Sequence, residues 1–152
     1  MLDRSLTEFL ELGLAIHLGT RNARMEPNGC RVTALRVEDQ GTHIVAFVPK
    51  PAAASVLDDL KTNGKAAISV ARPADDRAVQ VKGVFVSLRD ADPAEEEFVT
   101  AQWHGFVTQL DMIGFNASMS TLSWTVWPCL AVKIRVTHVF SQTPGPDAGA
   151  IL

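Results

Sequence analysis

Two kinds of residue cluster are absent from this chain, and each absence excludes a class of protein. Cysteine occurs only twice, as Cys30 and Cys129, which form no CxxC pair and could not support a disulfide scaffold in 152 residues. The 14 lysines and arginines form no dense run, and the formal net charge is −3. Because nucleic acids and anionic membranes attract basic surfaces, we expect neither as a partner.

Long apolar runs and metal-binding histidine patterns are absent as well. The apolar stretches are strand-sized, and the N-terminus carries acidic residues where a signal peptide would be basic, so we expect a soluble cytoplasmic protein with reduced thiols. The four histidines show no HxH or HExxH spacing, and the sequence predicts no metal site. No spacing supports a Ser/His/Asp or Cys/His arrangement, so the sequence identifies no catalytic residue.

The residues that are present predict one core built mainly from strands. Apolar residues make up 47% of the 152, which is enough for a single domain. Alternating patterns predict six strands, near residues 14–19, 31–37, 44–48, 66–71, 78–88 and 130–140. A loop with Pro27 and Gly29 precedes the second strand.

Three helices are predicted between and around these strands. The first begins with a capping box of Ser5 and Glu8, and the second runs from Pro51 to Asn63. The third begins at Asp92 as N-cap. Its apolar stripe should pack on the sheet and consists of Val99, Trp103, Phe106, Leu110 and Ile113.

Three of the predicted strands carry further information. The strand at 44–48 is apolar on both faces, which indicates cover by the barrel interior on one side and by a helix or a partner subunit on the other. The strand at 66–71 has one face of small side chains, which leaves room for a ligand. In the strand at 78–88 the apolar positions change face at Gly83, and we expect a bulge or bend there, as in closed sheets.

Together the elements predict an α+β, mainly β, barrel with flanking helices, covering residues 1–140. Residues 141–152 are predicted to form an irregular C-terminal tail.

Five segments, in this order and spacing, resemble the pyridoxamine 5'-phosphate oxidase-like, FMN-binding split-barrel superfamily. The similarity extends over nearly the whole chain, and the segments read RVTALRV, VAFVPK, LDDLKTNG, KAAISVARP and RAVQVKGVF. The resemblance implies a six-stranded split β-barrel, a homodimer, and FMN bound in grooves at the dimer interface.

The resemblance also implies which residues bind the cofactor. The family's Arg-x-x-x-x-Lys strand corresponds to Arg31 through Arg36, so an arginine replaces the lysine. Residues five apart in a regular strand face opposite sides, so both can meet one ligand only across a bulge or bend. The family's aromatic-threonine pair falls on Phe47 and Val48.

The remaining family positions depart further from the pattern. The Arg-Lys pair of the phosphate loop falls on alanines or on Ser55 and its neighbour, which leaves Lys50 and Ser55 as phosphate partners beside the N-terminus of the second helix. The ring-contacting glutamine falls on Ala78, and its nearest substitutes are Arg77 and Gln80.

Three functions fit this sequence. The chain is expected to be a flavin-dependent oxidoreductase on an unknown small substrate, in which FMN supplies the hydride chemistry. Alternatively, it is a non-catalytic dimeric barrel that carries or senses a flavin-like, deazaflavin or tetrapyrrole ligand. In the third case the chain is a non-catalytic dimeric barrel whose cofactor groove is vestigial. Trp124 is placed either to stack on a flavin ring or to anchor the core or a dimer interface.

Overall fold

A computed structural model describes residues 1–116 and 124–152. Three α-helices are present within these ranges: α1 (Arg4–Leu10), α2 (Lys50–Asn63) and α3 (Glu96–Met112). The strands are β1 (Ala15–Arg21), β2 (Pro27–Val32), β3 (Ala34–Glu38), β4 (His43–Pro49), β5 (Lys65–Ala71), β6 (Ala78–Asp90) and β7 (Cys129–Ser141).

The strands form one antiparallel sheet whose order is β2-β1-β5-β6-β7-β4-β3. Its two edge strands, β2 and β3, are separated in sequence only by Thr33, so the sheet must roll until its edges meet. The Thr33 amide donates to the Phe47 carbonyl at 2.9 Å, which ties the junction to β4. No ladder pairs β2 with β3, and the barrel is therefore split there. The α+β, mainly β, split-barrel fold is confirmed.

The structure corrects the strand count and two boundaries. The predicted strand at 31–37 divides at Thr33 into β2 and β3, which gives seven strands instead of six. Pro27 to Gly29 lie in β2 and not in a loop, because the β1 hairpin ladder extends to Arg21 opposite Pro27. Pro27 is tolerated because it is the first residue of an edge strand. The N-cap of α1 is Asp3, whose carboxylate accepts the Leu6 amide, so Ser5 lies inside the helix.

Both faces of β4 are buried, as the sequence predicts, and α3 covers its outer face. Ile44, Ala46 and Val48 belong to the barrel core. Val45 and Phe47 point the other way, into a second cluster that includes Val99 of α3. The predicted third helix start is also confirmed, since Asp92 and Glu95 form a capping box in the 3₁₀ turn that leads into α3.

The predicted irregularity at Gly83 is confirmed. The register of β6 on β7 shifts between Lys82 and Gly83, where a Cβ would lie 2.4 Å from Ile134 Cγ2 and 2.5 Å from the Arg135 oxygen. Lys82 pairs with His138 and Gly83 with Val136, so one residue of β7 bulges. As a result His138 is exposed on the outer face of the barrel and does not continue the inward face of β7.

The tail folds back along the second half of β7. Ile151 forms a bridge with Phe140, and the Leu152 amide donates to the Val139 carbonyl at 2.9 Å. Within the described ranges, no helix has the length and apolar character needed to cross a bilayer.

Candidate functional site

The outer face of β1, β5 and β6 is an open floor of small side chains. Inward-facing residues such as Ile16, Ile68 and Val81 are buried, and the residues between them point outward. The outward positions are mostly small and include Ala15, Gly19, Ala67, Ser69, Ala71 and Ala78. Such a floor allows a flat molecule or another chain to approach the backbone closely.

Two predicted cofactor residues lie in one row of this face. Cross-strand pairing places Arg31 beside His17, His17 beside Ser69, and Ser69 beside Gln80. Arg31 and Gln80 are therefore three strands apart, a span of roughly 14 Å. The Gln80 amide donates to the Ser69 hydroxyl at 3.4 Å.

Arg31 is a half-buried cation without a carboxylate partner. Its guanidinium lies 3.8 Å from the ring centre of Trp124 and 5.2 Å from that of Phe106. It forms no salt bridge within residues 1–116 and 124–152, and burial lowers its pKa from the ordinary value. The pKa of the neighbouring His17 is lowered by loss of hydration and by the Arg31 charge. His17 therefore adds a neutral donor and acceptor beside a positive charge.

A cavity of about 200 Å³ lies between Arg31 and the start of α2. Its walls also include Thr33, Pro51, Trp103 and Trp124. No side chain caps the N-terminus of α2, where the helix dipole is positive. A cation and a helix N-terminus thus converge on one small cavity, an arrangement that favours an anion.

Arg36, the partner of Arg31 in the family pattern, faces a different environment. It forms an ion pair with Glu95, and its guanidinium lies 4.5 Å from the ring centre of Phe98. Arg89 donates two hydrogen bonds to the same carboxylate, at 2.7 and 2.8 Å. The hydrogen bonds from Arg89 lower the pKa of the Glu95 carboxyl to about 2, and Arg36 contributes to that shift. Arg36 therefore belongs to a structural ion-pair network.

The other predicted cofactor residues are dispersed. Phe47 and Val48 are fully buried, and Lys50 forms a 2.6 Å ion pair with Asp90. Arg77 lies with its guanidinium 4.2 Å from the Phe9 ring centre. The exposed Ser55 hydroxyl donates to the Gly29 carbonyl of β2 at 3.4 Å, two residues from Arg31. The structure thus places Arg31 and Gln80 in one row of the sheet face, and Ser55 of α2 contacts β2 close to Arg31.

Sequence reasoning missed the role of two site residues. For His17 the spacing of the histidines predicts only that it binds no metal, although its place between Ile16 and Leu18 points it outward among small residues. Trp103 was assigned to helix packing alone, although it meets Trp124 beside Arg31, with ring centres 5.6 Å apart. No local pattern could have identified this contact, because Trp103 and Arg31 are distant in sequence. Within the described residues no group of three or more metal-ligating side chains is present.

Sequence comparison identifies no relative of this chain: neither a family model nor a curated protein matches it. Structural comparison does find similar folds. HupZ of Group A Streptococcus aligns with 98% of this chain and 100% of its own, at 13% identity and a TM-score of 0.59.

Two further structures show the same similarity. A proposed pyridoxamine 5'-phosphate oxidase from Lactobacillus delbrueckii is 16% identical, with 91% of this chain and 93% of that chain covered and a TM-score of 0.57. An FMN-binding protein from Syntrophomonas wolfei is 15% identical, with 91% and 82% covered and a TM-score of 0.53. The chain has the split-barrel fold of the pyridoxamine 5'-phosphate oxidase-like proteins.

Proposed function

We propose that this chain binds FMN on the outer face of β1, β5 and β6 and acts as a flavin-dependent oxidoreductase on a small molecule. The observation that supports the proposal is Arg31, a half-buried arginine without an ion-pair partner in the described part of the chain, beside the uncapped start of α2. A dianionic phosphate would supply the charge that this site lacks. The fold shared with an FMN-binding protein adds to the case.

The residues fit the two ends of such a cofactor differently. Arg31, Ser55 and the first turn of α2 would hold the phosphate. The small-residue floor beside His17 and Gln80 would take the flat ring, and the amide of Gln80 can hydrogen-bond ring heteroatoms. When bound, FMN supplies hydride and electron transfer, and the side chains of the protein bind and orient it.

We also propose that a second copy of the chain completes the site. The cavity beside Arg31 holds about 200 Å³, which is below the roughly 300–1,000 Å³ of ordinary ligand sites. A ring that leaves this cavity along the sheet would be exposed unless another chain covered it. A homodimer should therefore be observed by sedimentation, and a monomer that still binds FMN tightly would contradict the shared site. A cytoplasmic location is proposed because both cysteines are free.

The absorbance spectrum of the purified protein tests the proposal. We expect flavin absorbance, or uptake of added FMN at micromolar concentration. Arg31→Gln should weaken FMN binding at least tenfold, whereas Arg135→Gln, which removes an exposed arginine of β7, should not. A colourless protein that takes up no FMN would overturn the proposal.

A second candidate function is a carrier or sensor of a deazaflavin or tetrapyrrole ligand. It is favoured by the ion pairs of Arg36 and Lys50, which leave fewer cations for a phosphate than the family pattern supplies. Mass spectrometry of the extracted ligand separates it from the first. If the cofactor groove is instead vestigial, which is the third function considered above, addition of a flavin will not shift the midpoint of thermal unfolding.

A further inference from the structure

A larger groove lies on the same sheet face, beyond the Arg31 row. It holds about 680 Å³, and we call it the basic groove. Its floor includes Gly19, Ala67 and Gly83. Four basic side chains also line it, namely Arg21, Lys65, Lys82 and His138, and no carboxylate is among its lining residues.

The cations of this groove differ from most others in the chain. Of the 14 lysines and arginines, half form ion pairs within the described ranges: Arg4, Arg24, Arg36, Lys50, Arg72, Arg89 and Lys133. Arg21 donates only to the Asn22 carbonyl at 3.2 Å, and Lys82 lies 4.8 Å from the ring centre of Phe140. Among the described residues, positive charge therefore accumulates here without an ion-pair partner, in a chain whose formal net charge is −3.

One carboxylate, that of Asp59, lies behind the groove wall, but its hydrogen-bond donors are neutral groups. Asp59 of α2 is 5% exposed and accepts hydrogen bonds from the Thr20 hydroxyl and the Asn28 amide, both at 2.8 Å. Thr20 and Asn28 line the groove, so they stand between Asp59 and the groove. No ion pair links Asp59 to Lys65 or Lys82 among the described contacts.

We propose that the basic groove is a second anion site, which binds the diphosphate or phosphate ester of a small molecule independently of Arg31. Lys82 and His138 face each other across β6 and β7, and Lys65 lies on the neighbouring strand. Lys82 is three strands from β2, so it is separated from Arg31 by roughly 14 Å or more. Phosphate oxygens accept charge-assisted hydrogen bonds from several such donors at once.

Shape and charge favour a small molecule over a nucleic acid. The volume lies within the usual range for small-molecule sites. A nucleic acid would need basic groups along an extended surface, whereas here they are confined to one concavity. The proposal does not depend on a flavin.

Calorimetric titration with inorganic pyrophosphate, and in parallel with ADP, tests the proposal. The Lys65→Gln/Lys82→Gln double variant should bind both at least tenfold more weakly than the unchanged protein. Lys61→Gln removes an exposed lysine of α2 that lies outside the groove and forms no ion pair within the described ranges, and it should leave binding unchanged. Tighter binding of ADP than of pyrophosphate by the same lysines would identify a nucleotide ligand. Equal affinities for ADP and pyrophosphate would show that the groove recognises the diphosphate group alone.

Lys65 and Lys82 are exposed, so the double variant should keep its thermal midpoint. A Lys65→Arg/Lys82→Arg variant, which keeps both charges, should recover most of the affinity. Unchanged binding in the glutamine variant, or no binding by the unchanged protein, would overturn the proposal. A change of oligomeric state without any change in pyrophosphate affinity would also overturn it, because the groove would then be an interface between copies.

Discussion

Arg31 and Arg36 are five residues apart, and each lies against aromatic side chains, yet only one has a carboxylate partner. Arg36 contacts Phe98 and is bound by Glu95, which Arg89 also holds. Arg31 contacts Trp124 and Phe106 and has no such partner in the described chain. The difference shows that a matching residue type does not define a binding arginine. Charge that the protein itself does not neutralise remains for a ligand.

Removal of the shared carboxylate should have the largest effect on stability. In Glu95→Ala, Arg36 and Arg89 lose their partner and the cap on the Asp92 amide is lost. We expect the free energy of unfolding to fall by about 3 kcal/mol, measured by chemical denaturation. Glu97→Ala, an exposed change in the first turn of α3, should stay within about 0.5 kcal/mol. Equal effects of the two changes would show that the Glu95 ion pairs do not stabilise the fold.

Loss of Arg36 alone should cost less, because Arg89 still pairs with Glu95. We expect Arg36→Gln to lower the free energy of unfolding by about 1.5 kcal/mol. A combined Arg36→Gln/Glu95→Gln variant should lose less than the sum of the two single changes, since the partners are in contact. Additive losses would show that the two residues do not interact.

Acid should weaken the Glu95 network. The folded pKa of Glu95, about 2, lies below its ordinary value of 4.5, so its contribution is complete above pH 4.5 and is lost as pH falls toward 2. The slope is at most about 1.4 kcal/mol per pH unit. Glu95→Gln should reduce the loss of stability as pH falls through this window. An unchanged slope would contradict the assigned ion pairs.

The smallest stability effect is expected at Arg31. Arg31→Gln removes a half-buried charge that has no carboxylate partner, so the free energy of unfolding should change by no more than about 0.5 kcal/mol. Trp124→Leu should cost somewhat more, about 1 kcal/mol, because it removes both the cation contact and ring packing. A large loss in Arg31→Gln would mean that this arginine is structural too.

Much of the scaffold could be predicted from local patterns. The change of phase at Gly83 and the two apolar faces of β4 follow from side-chain alternation, which depends only on neighbouring residues. The break at Thr33 could not be predicted this way, because Val32, Thr33 and Ala34 fit a continuous strand. It arises where the rolled sheet meets its own edge, which is a property of the whole barrel.

For the candidate site, the sequence predicted which residues take part but not which partners they meet in the fold. Family positions identified both Arg31 and Arg36, but their partners come from α3, from the turn before it and from Trp124, and Glu95 is 59 residues from Arg36. The same holds for the basic groove, whose lysines come from different strands. Sequence alone does not show which charges are neutralised once the chain is folded.

Parallel FMN titrations of Arg31→Gln and Arg36→Gln, each with its thermal midpoint, test the central claim most directly. We expect Arg31→Gln to lose at least tenfold in FMN affinity at an unchanged thermal midpoint. Arg36→Gln should keep its affinity at a lowered midpoint. The reverse result, with FMN affinity lost in Arg36→Gln and kept in Arg31→Gln, would contradict it.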